Sequence, residues 1–381
     1  MFFTYKKLDP VIRLKIKEKQ NTKIPVIISL KEPLSNRFKN IISKKRGKLK
    51  YEYGYINSYS AELTADTIDK FSELPEVLFI SYDRKANICM NNVSNIVGAD
   101  IVSEYSLSGR NMNVAIIDTG VFPHEDLMRP YRAIAHFKDY INSIQEPYDD
   151  NGHGTFLSGI IAGSGSKSEG RYKGLCKSSK VIMLKAFNSV GEGSFSDILA
   201  AIGWVIENKE KYKIKILCLP FGAEAIVSYK LDPLCIAAKA AWNLGLIVVA
   251  SSGNKGPYEG TITTPGIEPS IITVGCCDCP DSNIKNWNVA DFSSRGSKSI
   301  QKPEIIAPGT NITSISLNRD YCSMSGSSVS TAVTAGLLAL LLEKMPNISG
   351  SDLKGVLKLS SKTINESKNA QGHGVINIKD I

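Results

Sequence analysis

Apolar residues in the larger, C-terminal part of the chain come in short unbroken runs: VAIID (114–118), KVIMLKA (180–186), IKILCL (214–219), LIVVASSG (246–253) and IITVG (271–275). A strand buried on both faces needs no polar alternation, so these runs predict parallel strands covered by helices on either side. Between them the apolar spacing shifts to a helical period over 197–207, 234–244 and 331–343. Strands alternating with helices predict an α/β fold, a three-layer α/β/α architecture with a mainly parallel sheet. The N-terminal part is patterned differently. IPVIISL (24–30) predicts a strand, 34–43 a helix carrying Phe38, Ile41 and Ile42, 51–64 a pair of alternating strands, 65–74 a second helix, and EVLFISYD (76–83) a closing strand. The resulting β-α-β-β-α-β order is that of a small α+β, ferredoxin-like (split βαβ) unit. The chain therefore divides into residues 1–88 and 89–381, with the junction expected between about 83 and 93.

In the larger part, residues with chemical capacity stand where the apolar runs end. Asp118 closes VAIID, and Gly120 lets the chain turn at the strand's carboxyl end. His153, in DDNGHGTFLSGIIAG (149–163), lies between two glycines and precedes the helical spacing of Phe156, Leu157, Ile160 and Ile161, which puts it in the first turn of a buried helix. Ser328, in MSGSSVSTAVTAG (324–336), opens a long run of small and apolar residues. A nucleophile at such a helix start has backbone N–H groups beside it, where negative charge develops. Taken singly, the aspartate reads as a turn or cap residue, the histidine as a loop residue and the serine as an N-cap. Together they are what nucleophilic peptide-bond hydrolysis requires: a hydroxyl, a base to take its proton, and a buried carboxylate to hold the base in one tautomer. The order Asp, His, Ser is one of the chain orders in which this geometry occurs. A fourth landmark lies between His153 and Ser328: IVVASSGNKG (247–256), an apolar strand ending in a Gly-Asn turn at Asn254.

From about residue 91 to the C-terminus these segments resemble the subtilisin family of serine proteases (subtilases). The N-terminal unit resembles the inhibitor-like propeptide of that family, which assists folding and lays its C-terminal tail in the active-site cleft. The resemblance implies a subtilisin-like fold and a serine endopeptidase working through an Asp118-His153-Ser328 triad and an acyl-enzyme intermediate. Asn254, with the Ser328 N–H, would hold the oxyanion. The enzyme would be made as a self-inhibited precursor that cleaves its own propeptide. Matching residues place Gly193 on one edge of the cleft, Phe195 and Ile198 in a hydrophobic pocket, and Pro220, Phe221 and Gly222 on the other edge. Ser252 and Gly253 would line the primary pocket, with Thr263 making it shallower. No cofactor is implied for the chemistry. Structural calcium is expected, with no ligands assignable, because no loop shows a run of oxygen ligands. The family's usual Thr-Ser-Met-Ala-x-Pro is here Ser327, Ser328, Val329, Ser330, Thr331 and Ala332, and Phe156 stands where histidine is usual. These departures keep open an alternative, a catalytically silent relative that binds a partner through the same cleft.

Charge narrows the partners. Residues 1–85 hold 18 Lys+Arg and 10 Asp+Glu, so that a net +8 of the total +9 lies in the N-terminal unit. Its lysines come without interleaved aromatics, which points to a solvated face and away from nucleic acid. No apolar stretch is long and charge-free enough to span a bilayer. The expected partners are a protein or peptide substrate and the chain's own propeptide, in cis or in trans. The first residues lack the pattern of a secretory signal, and the eight cysteines show no framework spacing, so a cytoplasmic site with reduced thiols is expected. Of the cluster Cys276, Cys277 and Cys279, at most Cys277 and Cys279 share a strand face, and no histidine lies near, so no metal site is assigned. His124, His136 and His373, in loop-like or glycine-flanked contexts, read as structural. The segment 370–378 is expected to supply a terminal strand.

Overall fold

A computed structural model describes residues 7–17, 23–45, 47–88, 107–281 and 283–376. The N-terminal unit contains α1 (Pro10–Lys17), β1 (Ile24–Leu30), α2 (Asn36–Lys44), β2 (Lys48–Tyr53), β3 (Ser58–Leu63), α3 (Ala65–Glu73) and β4 (Val77–Tyr82). Its strands form an antiparallel sheet in the order β2-β3-β1-β4, the expected split βαβ arrangement. Val26 and Ile28 of β1 join Phe38, Ile42, Ile68 and Phe71 of the two helices in one buried cluster. Helix α1 was not expected, although Asp9-Pro10 is a start signal: Pro suits the first helical position, and the Asp9 carboxylate accepts from the Val11 N–H at 2.9 Å. It seats Leu8 and Ile12 in the same core.

In the larger part, the sheet carries β6 (Asn113–Asp118), β7 (Ile134–Asp139), β8 (Val181–Lys185), β10 (Ile214–Leu219), β12 (Ile247–Ser251), β13 (Ile272–Asp278) and β15 (Ile305–Pro308). They lie in the order β15-β13-β12-β10-β6-β8-β7, each neighbour parallel. Successive residues of β6 face opposite layers. Val114 and Ile116 pack in a cluster with α4 (His153–Ala162) and α7 (Ser327–Lys344). Ala115 and Ile117 pack with α5 (Phe195–Asn208) and α6 (Pro233–Asn243). That two-sided burial is why the strands read as unbroken apolar runs. The strand holding His136 was missed because IAHFKD alternates weakly at the sheet's edge. The ring of His136 stacks on Trp204 with centroids 4.7 Å apart, so it is structural, though not in a loop.

At the closing end, Val375–Ile376 pairs parallel with β15, within the expected terminal strand; residues 377–378 lie outside the described residues, as does the 89–93 part of the expected junction. Chain following β6 runs to one side of it and β10 lies on the other, so β6 sits at a switch in strand order. In an open parallel sheet, the carboxyl ends of strands at such a point make the crevice where ligands bind.

Candidate active site

Asp118 is the last residue of β6, and it opens into a turn that only glycine can make so closely. Gly120 has φ of +130°, and a Cβ there would meet the Tyr148 carbonyl oxygen at 2.2 Å. The same tightness recurs at Gly154, where a Cβ would meet the Gly120 oxygen at 2.2 Å and the Asp118 carboxylate at 3.1 Å. The first turn of α4 is thereby pressed against the end of β6. Asp149 fastens that turn: one carboxylate oxygen accepts from the Gly152 N–H at 2.9 Å, the other from the Thr155 N–H at 2.9 Å and its hydroxyl at 2.6 Å. An aspartate at a helix start both satisfies orphan donors and complements the helix dipole.

The three side chains expected from the sequence meet there. His153 Nδ1 lies 2.8 and 2.9 Å from the two Asp118 carboxylate oxygens, and Nε2 lies 3.0 Å from Ser328 Oγ. All three residues are fully buried. Asp118 is also held by the Thr119 N–H at 2.7 Å. A carboxylate on Nδ1 leaves Nε2 as the acceptor facing the hydroxyl, which is the tautomer a base needs.

Asn254 faces the same point. Its amide oxygen accepts from the Ser327 N–H at 3.0 Å and from the Ser327 hydroxyl at 2.7 Å. A backbone N–H can only donate, so the oxygen must point that way and the NH2 group the other. That NH2 nitrogen is buried and has no hydrogen-bond partner among the described residues. Buried donors are rarely left unmade, and one held in place by its other end is suited to an anion that is present only in passing. Ser251 Oγ, 2.6 Å from Ser327 Oγ, completes the bracket. Sequence reasoning singled out Asn254 but not Ser327 or Ser251, whose role shows only once three segments are folded together.

The cleft beside this group already contains a strand. β5 (Lys85–Ile88), the tail of the N-terminal unit, lies between β9 (Glu192–Ser194) and β11 (Phe221–Gly222), antiparallel to both. Ala86 pairs with Gly193, Asn87 with Gly222, and Ile88 with Phe221. Ala86 is buried in one cluster with Phe195, Ile198 and Phe221. Pro220 joins β10 to β11 and is buried. Thr263 fits tightly: its Oγ1 and Cγ2 would lie 2.2 and 2.6 Å from a Cβ at Gly222 and Gly253 respectively, and its N–H donates to the Ser252 oxygen at 3.0 Å. The residues expected to line the cleft are thus brought together on both sides of β5 and beside it.

Among the described residues, no group of three or more His, Cys, Asp or Glu side chains converges to hold a metal ion. Calcium is therefore assigned no ligands among the described residues. Cys277 and Cys279 do share a side, with their sulfurs 3.3 Å apart, and all described cysteines are free thiols. Among the described residues no helix is long and apolar enough to cross a membrane.

Comparison with known proteins agrees with this geometry. Residues 109–374 match the model of the subtilase family. The chain belongs to that family. Residues 16–88 match the peptidase inhibitor I9 family, the propeptide domain that subtilases carry. The chain is 34% identical to serine protease AprX of Bacillus subtilis (strain 168) over 365 residues, 88% of this chain and 81% of that one. It is 28% identical to subtilisin E of the same organism over 371 residues, 95% and 91% of the two chains. Among solved structures, fervidolysin from Fervidobacterium pennivorans superposes with a TM-score of 0.74 over 94% of this chain and 60% of that one, at 19% identity, which speaks to fold alone. Sphericase superposes with a TM-score of 0.62 at 28% identity, covering 73% of this chain and 96% of its own. The chain is a subtilisin-type serine endopeptidase with an inhibitor-type propeptide.

Proposed function

We propose that the Ser328 hydroxyl is the nucleophile, His153 the base and Asp118 the group that orients it. Ser328 Oγ attacks the carbonyl carbon of the scissile peptide bond as its proton passes to His153 Nε2, and the Asp118 carboxylate stabilises the imidazolium so formed. The oxyanion is received by the Asn254 NH2 group and the Ser328 N–H at the start of α7. His153 then gives its proton to the leaving amine, the acyl-enzyme remains on Ser328, and water attacking by the same path releases the acid. The observation that carries this reading is the unbroken hydrogen-bond chain from Asp118 through His153 to Ser328, next to a buried amide donor that has no partner among the described residues.

The same reading makes the chain a self-inhibited precursor. β5 supplies main-chain pairing to both cleft edges, which is how an extended peptide of any sequence gains affinity while its alternate side chains choose pockets. β5 ends at Ile88, inside the junction expected between about 83 and 93, and the self-cleavage is placed shortly after residue 88. Protein or peptide substrates would take the place of β5 once it leaves, and the released propeptide could bind again in trans. Members of this family typically need no cofactor for catalysis. The free thiols favour a reducing compartment such as the cytoplasm as the place of action.

A serine-directed fluorophosphonate tests the assignment. The wild-type chain should be labelled and Ser328→Ala should not; labelling of the alanine variant would place the nucleophile elsewhere. Ser328→Ala should also remain uncut after residue 88, and processing of the purified variant alone in solution would show that the cut does not depend on Ser328.

A further inference from the structure

Two residues upstream of Ala86, the side chain of Arg84 enters a pocket built by the catalytic domain. Its Nη2 lies 3.1 Å from Asp232 Oδ2, its Nη1 donates to the Glu224 carbonyl oxygen at 2.9 Å, and the guanidinium sits over the Phe195 ring, 5.0 Å from the centroid. Arg84 is 7% exposed and Asp232 is not exposed at all. The main chain is fixed at the same place, since the Phe195 N–H donates to the Arg84 carbonyl at 2.9 Å. The Arg84 pocket is thus continuous with the strand pairing of the cleft.

The other oxygen of Asp232 is committed within the catalytic domain. Oδ1 accepts from the Thr264 hydroxyl at 2.8 Å and from the Leu234 and Cys235 N–H groups at 3.0 and 3.2 Å, capping α6. Asp232 is therefore locked in place whether or not the propeptide is present, and Oδ2 is what it offers to a ligand. Burial pushes its carboxyl above the usual range, and the Arg84 charge opposes that push. When the N-terminal unit departs, the carboxylate keeps the partners of its Oδ1 and loses its cation.

We propose that Asp232, with the Glu224 carbonyl and the Phe195 ring, is a specificity-determining pocket for a basic side chain, arginine above all, placed in a substrate two residues before the one that occupies the Ala86 position. The proposal rests on the reading that β5 lies where substrates bind. Arginine is favoured over lysine because two different nitrogens of one planar group reach Asp232 and Glu224 while its face covers Phe195, which a single ammonium cannot do. A carboxylate in the same place would bring like charge into a desolvated site. The pocket gives the enzyme a preference set far upstream of the scissile bond. Arg84 is then the propeptide's own use of that preference, with Asp9 of the N-terminal unit, 4.0 Å from Arg84 Nε, adding a second carboxylate that free substrates lack.

The test is a set of quenched fluorescent peptides carrying residues 82–96, with Arg84 kept or replaced by Lys, Ala or Glu, digested by the purified processed enzyme. Mass spectrometry of the products identifies the bond cut. Replacing arginine by alanine should lower kcat/KM roughly thirtyfold or more, the size expected when one partner of a buried hydrogen-bonded charge pair is removed. Lysine should fall between the two, and glutamate should be the poorest. Asp232→Asn, which keeps the size and the cap, should bring the arginine-to-alanine ratio close to one, whatever its overall activity. If the peptides are cut shortly after residue 88 with rates that do not depend on residue 84, the pocket proposal is overturned while the placement of β5 stands. If they are cut only out of that register, the placement of β5 fails and takes the proposal with it. Should Asp232→Asn not fold, the peptide series on the wild-type enzyme decides the matter alone.

Discussion

The two sheets of this molecule are built on opposite principles. In the N-terminal unit, antiparallel strands join near neighbours in the chain, and the sheet β2-β3-β1-β4 is settled within residues 24–82. In the catalytic domain the parallel sheet gathers residues 118, 153 and 328 from stretches far apart in sequence. Long-range parallel pairing must close large loops before its contacts form, which makes it slow. The contrast gives the small unit a physical task. It can order early and present a surface: Tyr53 donates to the Ser196 carbonyl at 2.9 Å, Tyr55 to that of Leu199 at 2.8 Å, and Asp83 accepts from the Ser196 N–H at 2.9 Å. These contacts hold the first turns of α5, a helix of the larger domain, and β5 then inserts between that domain's cleft edges. The unit with mainly local contacts thereby braces the one whose contacts are distant in sequence.

Substitutions can separate the two. The largest effect is expected from Ser328→Ala, which should cut peptide hydrolysis on the order of 10⁶-fold, as loss of the nucleophile does in subtilisin itself, and leave both sheets intact by circular dichroism. Asn254→Ala should lower kcat by about 10²–10³-fold with little change in KM, the magnitude found for the equivalent donor in subtilisin. Ser327→Ala removes the hydroxyl that aims Asn254 but leaves the Ser327 N–H. It should reduce kcat about tenfold, on the scale of one hydrogen bond to a group under charge, with KM held and Ser327→Thr restoring the rate.

On the other side of the comparison, Tyr53→Phe leaves the chemistry alone and takes one buried hydrogen bond from the contact with α5. Inhibition by the propeptide added in trans should weaken roughly fivefold, about 1 kcal/mol. An unchanged inhibition constant would mean that β5 alone accounts for docking. The last test concerns stability rather than rate. Burial lowers the Lys302 ammonium from its usual value to about 8, against the pull of Glu304. Its folded pKa is depressed, so the folded state sheds the proton first. The contribution of this group to stability should rise as pH climbs from about 8 toward the ordinary lysine value, by at most ~3 kcal/mol. In Lys302→Met that rise should vanish from the melting curve of the catalytic domain, while Lys354, 2.8 Å from Glu304, still pairs the carboxylate.

Much of this was legible in the residues alone. Runs such as VAIID and IKILCL, without polar alternation, mark strands covered on both faces, and the N-terminal alternation marks a sheet with one face packed on its helices. His153 and Ser328 were readable because glycine before a helical apolar pattern marks a helix start. Gaps arose where the signal was short or edge-placed. IAHFKD alternates too weakly to announce a strand, and DPVIRLKIK hides a helix behind scattered charges.

By itself, then, the order of residues determined which stretches become strands and helices, and which polar groups stand at their ends, because apolar period and turn chemistry are local properties of a chain. Tertiary structure alone decided which of those ends meet. No local pattern states that Ser327 aims the amide of Asn254, or that Asp232 at the cap of one helix receives Arg84 from another domain. Those relations depend on distances through space between segments far apart in sequence, and only the packed layers fix them.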